Sequence, residues 1–169
     1  YLQRTISGTV LLAAVAVLAT GALSWISYRG ARAALEAQFE RRLATAAGAT
    51  ATQISPEDIE DARRLGEEGA GWANLQVQLE ALRTTTGFAS ASLFDSLRAT
   101  VYDCRGLEYQ HEVTRLDTLA RAGVDAALRG RPVVTAPFAL LGVAYRAGLA
   151  PVAGRRGGVA GVVAVEGRL

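Results

Sequence analysis

The segment FASASLFDSLRATVYDC, residues Phe88–Cys104, contains the pattern that decides the fold class. Phe88–Phe94 and Ala99–Cys104 combine aromatic, small and β-branched residues, and both are predicted to be strands. The residues between them, Asp95–Arg98, begin with an aspartate, which caps turns by accepting hydrogen bonds from backbone amides. The segment therefore predicts a β-hairpin in which Asp95 has a structural role.

Further secondary structure is predicted on the C-terminal side of this hairpin. Leu116–Leu128 has apolar residues at helical spacing and is followed by Gly130 and Pro132, which predicts one helix. Three apolar segments with glycine-containing links come next and are predicted to be strands: Val133–Leu140, Val143–Pro151 and Val159–Val165. Short links favour antiparallel pairing, so the sequence predicts an α+β domain whose five-stranded antiparallel sheet carries helices on one face.

Helices are predicted on the N-terminal side of the hairpin. Ser55 and Pro56 form a helix-start signature, with Ser55 as the N-cap, and this helix is expected to end near Leu65. The glycine cluster Gly66–Gly71 interrupts it, and a further helical stripe begins at Trp72 and ends at Gly87.

A longer helix is predicted between Ala31 and this region. Its apolar positions recur three and four residues apart and are Leu35, Phe39, Leu43, Ala46, Ala47, Thr50 and Ile54. An apolar face of this kind requires a partner. Two alternatives remain open: the face packs on its own domain, or part of it pairs with a second subunit in a homodimer.

Thr5–Tyr28 is an uncharged stretch of 24 residues between Arg4 and Arg29. As a helix it would be roughly 36 Å long, enough to cross a hydrocarbon core of about 30 Å. Trp25 and Tyr28 would lie at the interface. A cleaved signal peptide is the alternative, but the length of the apolar run favours a transmembrane helix. Because the sequence contains no Met, we expect its start to be truncated.

Composition argues against several functional classes. The chain has 18 basic residues, all Arg, and 16 acidic residues, so its net charge of +2 gives little attraction to nucleic acid. A single cysteine, Cys104, and a single histidine, His111, exclude an intrachain disulfide framework and multi-histidine metal sites. No nucleophile and base occur at useful spacing, so we expect no enzyme activity in this fragment and no cofactor or metal.

Residues 29–169 resemble the extracytoplasmic PAS-like sensor domains, of the Cache or PDC type, of bacterial two-component sensor histidine kinases. The resemblance rests on the order of several pieces: the long helix after the apolar stretch, the strand ASLFD at Ala91–Asp95, the helix end AALRG at Ala126–Gly130, the strand end LAP at Leu149–Pro151, and the final strand GVAGVVAVE at Gly158–Glu166.

The resemblance implies a PAS-like domain with a five-stranded antiparallel sheet and a long N-terminal helix that continues from a transmembrane helix. It places residues 29–169 in the periplasm, anchored in the bacterial inner membrane, with a second transmembrane helix beginning just past Leu169. Ligand or partner binding would then be coupled to a cytoplasmic kinase. The alternatives are the sensor domain of a chemotaxis receptor or of a cyclic-dinucleotide enzyme, and a dimerisation or protein-interaction module without a ligand.

The resemblance also implies a small-molecule pocket between the sheet and the connection Arg105–Arg115. The candidate ligand-binding residues are Arg146, Tyr145, Phe138, Thr135, Tyr109, His111 and Tyr102. Arg146 is the first choice because a guanidinium binds a carboxylate through two hydrogen bonds, which suits a small anionic or amphoteric ligand. Strand alternation would place Tyr145 and Arg146 on opposite faces, and the competing interpretation makes Arg146 an exposed residue and Tyr145 a core residue.

Overall fold

The structure is a computed structural model that describes the backbone of residues 2–169 and the side chains of residues 13–169. Its helices are α1 (Leu2–Gln53), α2 (Pro56–Leu65), α3 (Ala70–Thr86), α4 (Leu116–Leu119) and α5 (Arg121–Leu128). Its strands are β1 (Ser90–Asp95), β2 (Thr100–Asp103), β3 (Val133–Val134), β4 (Phe138–Leu140), β5 (Val143–Ala153) and β6 (Val159–Arg168).

The chain divides into two units, Tyr1–Phe39 and Glu40–Leu169. The first unit consists of the N-terminal part of α1, where the rings of Trp25 and Tyr28 lie 6.4 Å apart. Within the described residues, no helix combines the length and the hydropathy needed to cross a membrane. The predicted span Thr5–Tyr28 begins among residues whose side chains lie outside the described part of the chain, so it stays a prediction.

The second unit contains one antiparallel sheet with the strand order β2-β1-β6-β5-β3, and β4 also pairs with β5. The predicted α+β class is thereby confirmed. The sheet has six strands because the expected strand Val133–Leu140 is divided in two. Pro137 has no amide to donate, and the Thr135 hydroxyl accepts the hydrogen bond of the Ala147 amide at 3.0 Å.

Helices cover both faces of the sheet, so the expectation of helices on one face is wrong. Successive residues of β5 point to opposite faces. A Cβ added to Gly148 would lie 2.6 Å from the carbonyl oxygen of Leu43 in α1, whereas the Leu149 side chain meets Gly123 of α5. The expected helix Leu116–Leu128 is divided into α4 and α5 at Ala120, whose φ is −144°.

Four of the predicted positions of the apolar face are buried in the second unit: Leu43, Ala47 and Thr50 in α1, and Ile54 directly after its end. This part of the face therefore packs on its own domain, which is the first of the two alternatives. Leu35, in the first unit, is 66% exposed.

Two local predictions about capping are confirmed. Ser55 caps α2, its hydroxyl accepting from the Glu57 amide at 3.2 Å. Oδ1 of Asp95 accepts from the amides of Leu97 and Ala99 at 2.8 and 2.9 Å across the hairpin turn. The other carboxylate oxygen of Asp95 pairs with Nε of Arg63 in α2 at 2.8 Å, so this residue also ties the hairpin to a helix.

Candidate functional site

Three of the sequence-predicted site residues lie together under α5. Phe138 and Tyr145 are 7% and 9% exposed, with their rings stacked at 6.3 Å, and Thr135 is buried beside them. Leu149 and Phe94 belong to the same face of the sheet. These residues form an apolar core in which the polar atom of Thr135 is already used by the backbone.

Arg146 lies on the opposite face of the sheet. Its guanidinium pairs with the carboxylate of Glu40 in α1, and its side chain is 17% exposed. Tyr145 and Arg146 therefore point to opposite faces, as strand alternation predicts. The structure does not bring Arg146 together with Tyr145 and Phe138 in one pocket.

The remaining three candidates lie in two further places. Tyr109 is 74% exposed and His111 is exposed, both in the loop after β2. Tyr102 is buried against α3, where its hydroxyl donates to Glu80 Oε1 at 3.3 Å and its ring meets Trp72 edge-on at 5.4 Å. The seven candidates are thus distributed over both faces and one loop.

A different group of charged residues converges on the sheet face that carries α4 and α5. Nη2 of Arg115 donates to Oε1 of Glu166 at 2.6 Å, and Glu166 is 1% exposed. The same guanidinium lies 3.7 Å from a Glu108 oxygen and 3.9 Å from an Asp103 oxygen. We call these four residues, Arg115, Glu166, Glu108 and Asp103, the Arg115 cluster.

Local hydrogen bonds hold two of its carboxylates in place. Asp103 ends β2, and its Oδ2 accepts from the amides of Leu107 and Glu108 at 2.9 and 3.2 Å, so it folds the loop around itself. Glu108 accepts from the Thr100 hydroxyl at 2.7 Å and from the Arg115 amide at 2.7 Å. The loop thereby brings Arg115, at the start of α4, onto the sheet.

Several polar atoms of the Arg115 cluster have no hydrogen-bond partner among the described residues. They are Nε and Nη1 of Arg115 and Oε2 of Glu166, all buried. Burying a donor or an acceptor without a partner costs roughly 1–3 kcal/mol, and more for charged groups. Nε and Nη1 of Arg115 lie 3.7 and 3.9 Å from the carboxylates of Glu108 and Asp103 without a hydrogen bond, so these donors and Oε2 of Glu166 keep hydrogen-bonding capacity that a small amphoteric or anionic molecule can use.

Burial raises the pKa of the Glu166 carboxyl, and the neighbouring Arg115 opposes this shift only in part. A carboxyl whose folded pKa lies above the unfolded value takes up a proton on folding. Its stabilising contribution is complete below the unfolded pKa of about 4.3 and is lost as the pH rises through the folded pKa.

We therefore expect the stability of the wild type to fall relative to Glu166→Gln as the pH rises from about 4 towards neutrality. Thermal unfolding of both proteins at a series of pH values measures this. A difference in Tm that stays constant over the whole range would show that Glu166 does not titrate as described.

Sequence reasoning missed the Arg115 cluster, although one signal was present. Val162, Ala164 and Glu166 occupy alternate positions of β6, so a charged residue continues the buried side of an apolar strand. A charge at such a position requires a buried partner. Finding Arg115 as that partner requires the fold, because 51 positions separate the two residues.

Cys104 is half-buried at the end of β2, where its Sγ accepts from the Ala91 amide at 3.0 Å. Burial raises the pKa of this thiol, which disfavours the reactive thiolate. Among the residues that the structure describes, no group of three or more His, Cys, Asp and Glu side chains is placed to hold a metal ion.

No family model and no curated protein matches the chain. Among solved structures, the sensor domain of DcuS from E. coli is similar at a TM-score of 0.51 and 17% identity, over 75% of this chain and 89% of that one. The sensor domain of the histidine kinase DctB from V. cholerae has a TM-score of 0.47 and 16% identity, over 65% of this chain and 42% of that one.

A third similar structure is the ligand-binding domain of the amino acid chemoreceptor PctC from Pseudomonas aeruginosa, in complex with GABA. Its TM-score is 0.43 at 23% identity, and the match covers 70% of this chain and 60% of that one. The long first helix, the antiparallel sheet and the likeness to the DcuS domain agree with one another. The chain has the PAS-like α+β fold of the extracytoplasmic sensor domains of the Cache or PDC type.

Proposed function

We propose that this chain is the extracytoplasmic input domain of a membrane-bound sensor histidine kinase. In this proposal, residues 29–169 lie in the periplasm, Thr5–Tyr28 anchors them in the inner membrane, and the kinase follows beyond a second transmembrane helix. The PAS-like fold supports the sensing role. A homodimer is part of this proposal, because the apolar side chain of Leu35 in the first unit is 66% exposed and is available for a subunit contact.

The observation that carries the proposal is the set of unpaired atoms in the Arg115 cluster. Two guanidinium donors and one carboxylate acceptor are buried without a hydrogen-bond partner in the described part of the chain, although both donors lie within 4 Å of a carboxylate. A small amphoteric molecule would give its carboxylate to Arg115 and its ammonium to Glu166. The proposed anionic or amphoteric ligand is assigned to Arg115 because two of its nitrogen atoms and one Glu166 oxygen lack hydrogen-bond partners, whereas Arg146, which pairs with Glu40, has one such nitrogen and is the alternative position.

The position of Glu166 provides a route for the signal. It lies on β6, the last strand of the chain, which pairs with both β1 and β5. Gly148 of β5 contacts α1 at Leu43. A ligand that prefers one arrangement of Glu166 would shift the packing of β6, and through β5 that of α1, by as much as its affinities for the two arrangements differ.

Thermal unfolding of the full chain in a mild detergent tests this proposal with a panel of amino acids, dicarboxylates and neutral metabolites. A ligand at a hundred times its Kd adds about 2.7 kcal/mol of stability, or roughly 5–10 °C in Tm. We expect a shift confined to amphoteric or anionic compounds, lost in Arg115→Lys and retained in the matched variant Arg146→Ala.

The opposite results are equally informative. A shift lost in Arg146→Ala and retained in Arg115→Lys would move the site to Arg146. No shift over the whole panel, with a midpoint that depends on protein concentration, would favour the dimerisation or protein-interaction module instead.

A further inference from the structure

A cleft of about 480 Å³ lies between α3, β2 and the loop that follows β2. It borders the Arg115 cluster, because Asp103 and Glu108 belong to its wall. Its lining also combines aromatic rings with further carboxylates, a combination that neither the fold nor the Arg115 cluster requires.

Three aromatic side chains line this cleft: Trp72, Tyr102 and Tyr109. Trp72 and Tyr102 meet edge-on at 5.4 Å and support each other, while Tyr109 is 74% exposed. The exposed ring of Tyr109 lines the same cleft, where it is open to a bound ligand. Ring faces attract cations, most strongly where water is partly excluded.

The charge of the surroundings is negative. Five carboxylates belong to the cleft wall or to the adjoining Arg115 cluster: Glu67, Glu80, Asp103, Glu108 and Glu166. The guanidiniums in the same region are three: Arg83, Arg105 and Arg115. Two of these carboxylates are desolvated, since the side chains of Asp103 and Glu108 are only 0% and 8% exposed. Arg115 lies within 4 Å of both carboxylates, and a cation in the cleft would add to this compensation of buried charge.

The hydrogen bonds of the buried carboxylates restrict what kind of cation fits. Oδ2 of Asp103 accepts from two backbone amides, and the two oxygens of Glu108 accept from Thr100, Thr114 and the Arg115 amide. A metal ion or a primary ammonium needs free oxygen ligands, which these two residues do not offer, so only Glu67 and Glu80 of the cleft wall remain as carboxylate ligands for such a cation. An alkylated ammonium needs only negative potential and ring faces.

We propose that this cleft binds a small, soluble quaternary ammonium compound, held by the rings of Trp72, Tyr102 and Tyr109 and by the negative charge of the surrounding carboxylates. The site adjoins the ligand position proposed at Arg115 and Glu166 and shares Asp103 and Glu108 with the Arg115 cluster, but it does not depend on the kinase output.

Tryptophan emission tests the site directly, because Trp72 lines the cleft. The full chain carrying Trp25→Phe has Trp72 as its only tryptophan. We expect tetramethylammonium chloride to change its emission saturably, with an apparent Kd at least tenfold lower than that of methylammonium chloride, and sodium chloride at equal ionic strength to give no saturable change.

Two pairs of variants locate the binding. Tyr109→Ala is expected to raise the Kd for tetramethylammonium by about 2- to 30-fold, the range of a cation–π contact, and its control is Leu107→Ala in the same loop. Glu67→Gln is expected to weaken binding, and its control is Glu68→Gln, the next residue, which does not line the cleft. All four side chains are exposed, so these variants are expected to fold normally.

Three results would overturn the proposal. One is the absence of saturable binding by tetramethylammonium. Another is tighter binding of methylammonium, which would mean that hydrogen-bond acceptors and not ring faces select the ligand. The third is a Kd that is the same in Tyr109→Ala and Leu107→Ala, which would place the bound cation elsewhere.

Discussion

Arg115→Ala is expected to destabilise the protein by about 3–5 kcal/mol, the usual cost of removing one partner of a buried ion pair. The physical reason is that the carboxylate of Glu166, a residue that is 1% exposed, would stay buried and lose the only hydrogen-bond donor that the described residues give it. Asp103 and Glu108 would lose the same nearby positive charge. Thermal unfolding at neutral pH should show a Tm lower by roughly 6–20 °C.

Two further measurements separate this explanation from a general effect of losing an arginine. Arg121→Ala, at an exposed position of α5, is expected to change stability by less than about 0.5 kcal/mol. Acidification should reduce the deficit of Arg115→Ala, because protonated carboxyls no longer require the guanidinium. If Arg115→Ala unfolds at the wild-type temperature, the Arg115 cluster carries neither the stability nor the buried charge that we assign to it.

Gly148→Ala is the second substitution with a large expected effect, about 1–3 kcal/mol of destabilisation through overpacking. The new Cβ would lie 2.6 Å from the carbonyl oxygen and 3.1 Å from the Cβ of Leu43. Because the nearest atoms belong to the backbone of Leu43, a change of side-chain rotamer cannot relieve the contact. Either α1 moves away from β5 or the strand bends, and the Tm falls in both cases.

Gly48→Ala provides the control. Gly48 lies in α1, the helix that Gly148 contacts, and nothing is within 4 Å of the position of its Cβ. Its replacement should stabilise α1 by up to about 1 kcal/mol through helix propensity alone. A loss of stability in Gly148→Ala together with a gain in Gly48→Ala would show that β5 and α1 meet at Gly148. A Gly148→Ala protein as stable as the wild type would mean that this contact is loose.

The hairpin was predictable from sequence because its signals are local. Asp95 caps the turn through amides only two and four residues away, so the type and position of the residue are sufficient. The start of α2 was predictable for the same reason, since Ser55 caps an amide two residues later. Composition and periodicity report such short-range relations directly.

The sheet was harder to predict in detail. One predicted strand became β3 and β4, since the Thr135 hydroxyl takes over a ladder hydrogen bond and Pro137 lacks an amide. The second helical layer was missed because Gly123 and Leu149 are 26 positions apart, and nothing local to either residue shows that α5 crosses β5. Close approaches between distant segments are decided by the packing of the whole domain.

The candidate site, too, could be predicted where it depends on local relations and not where it depends on distant segments. Strand alternation alone separated Tyr145 from Arg146, and the structure has them on opposite faces. The sequence does not show which arginine pairs with a buried carboxylate. In the structure, Arg146 pairs with Glu40, whereas Arg115 pairs with the buried Glu166. The loop that Asp103 holds through hydrogen bonds to its backbone amides places Arg115 on the sheet.

Interactions within a few residues fix the caps, the hairpin turn and the α+β class, so these features could be predicted from the amino-acid sequence. The packing of the whole domain sets which charges share a buried site, which sheet face each helix covers, and where the rings of Trp72 and Tyr102 meet. These features depend on side chains brought together from distant positions, and their cost or gain is set by desolvation, which exists only once the fold excludes water.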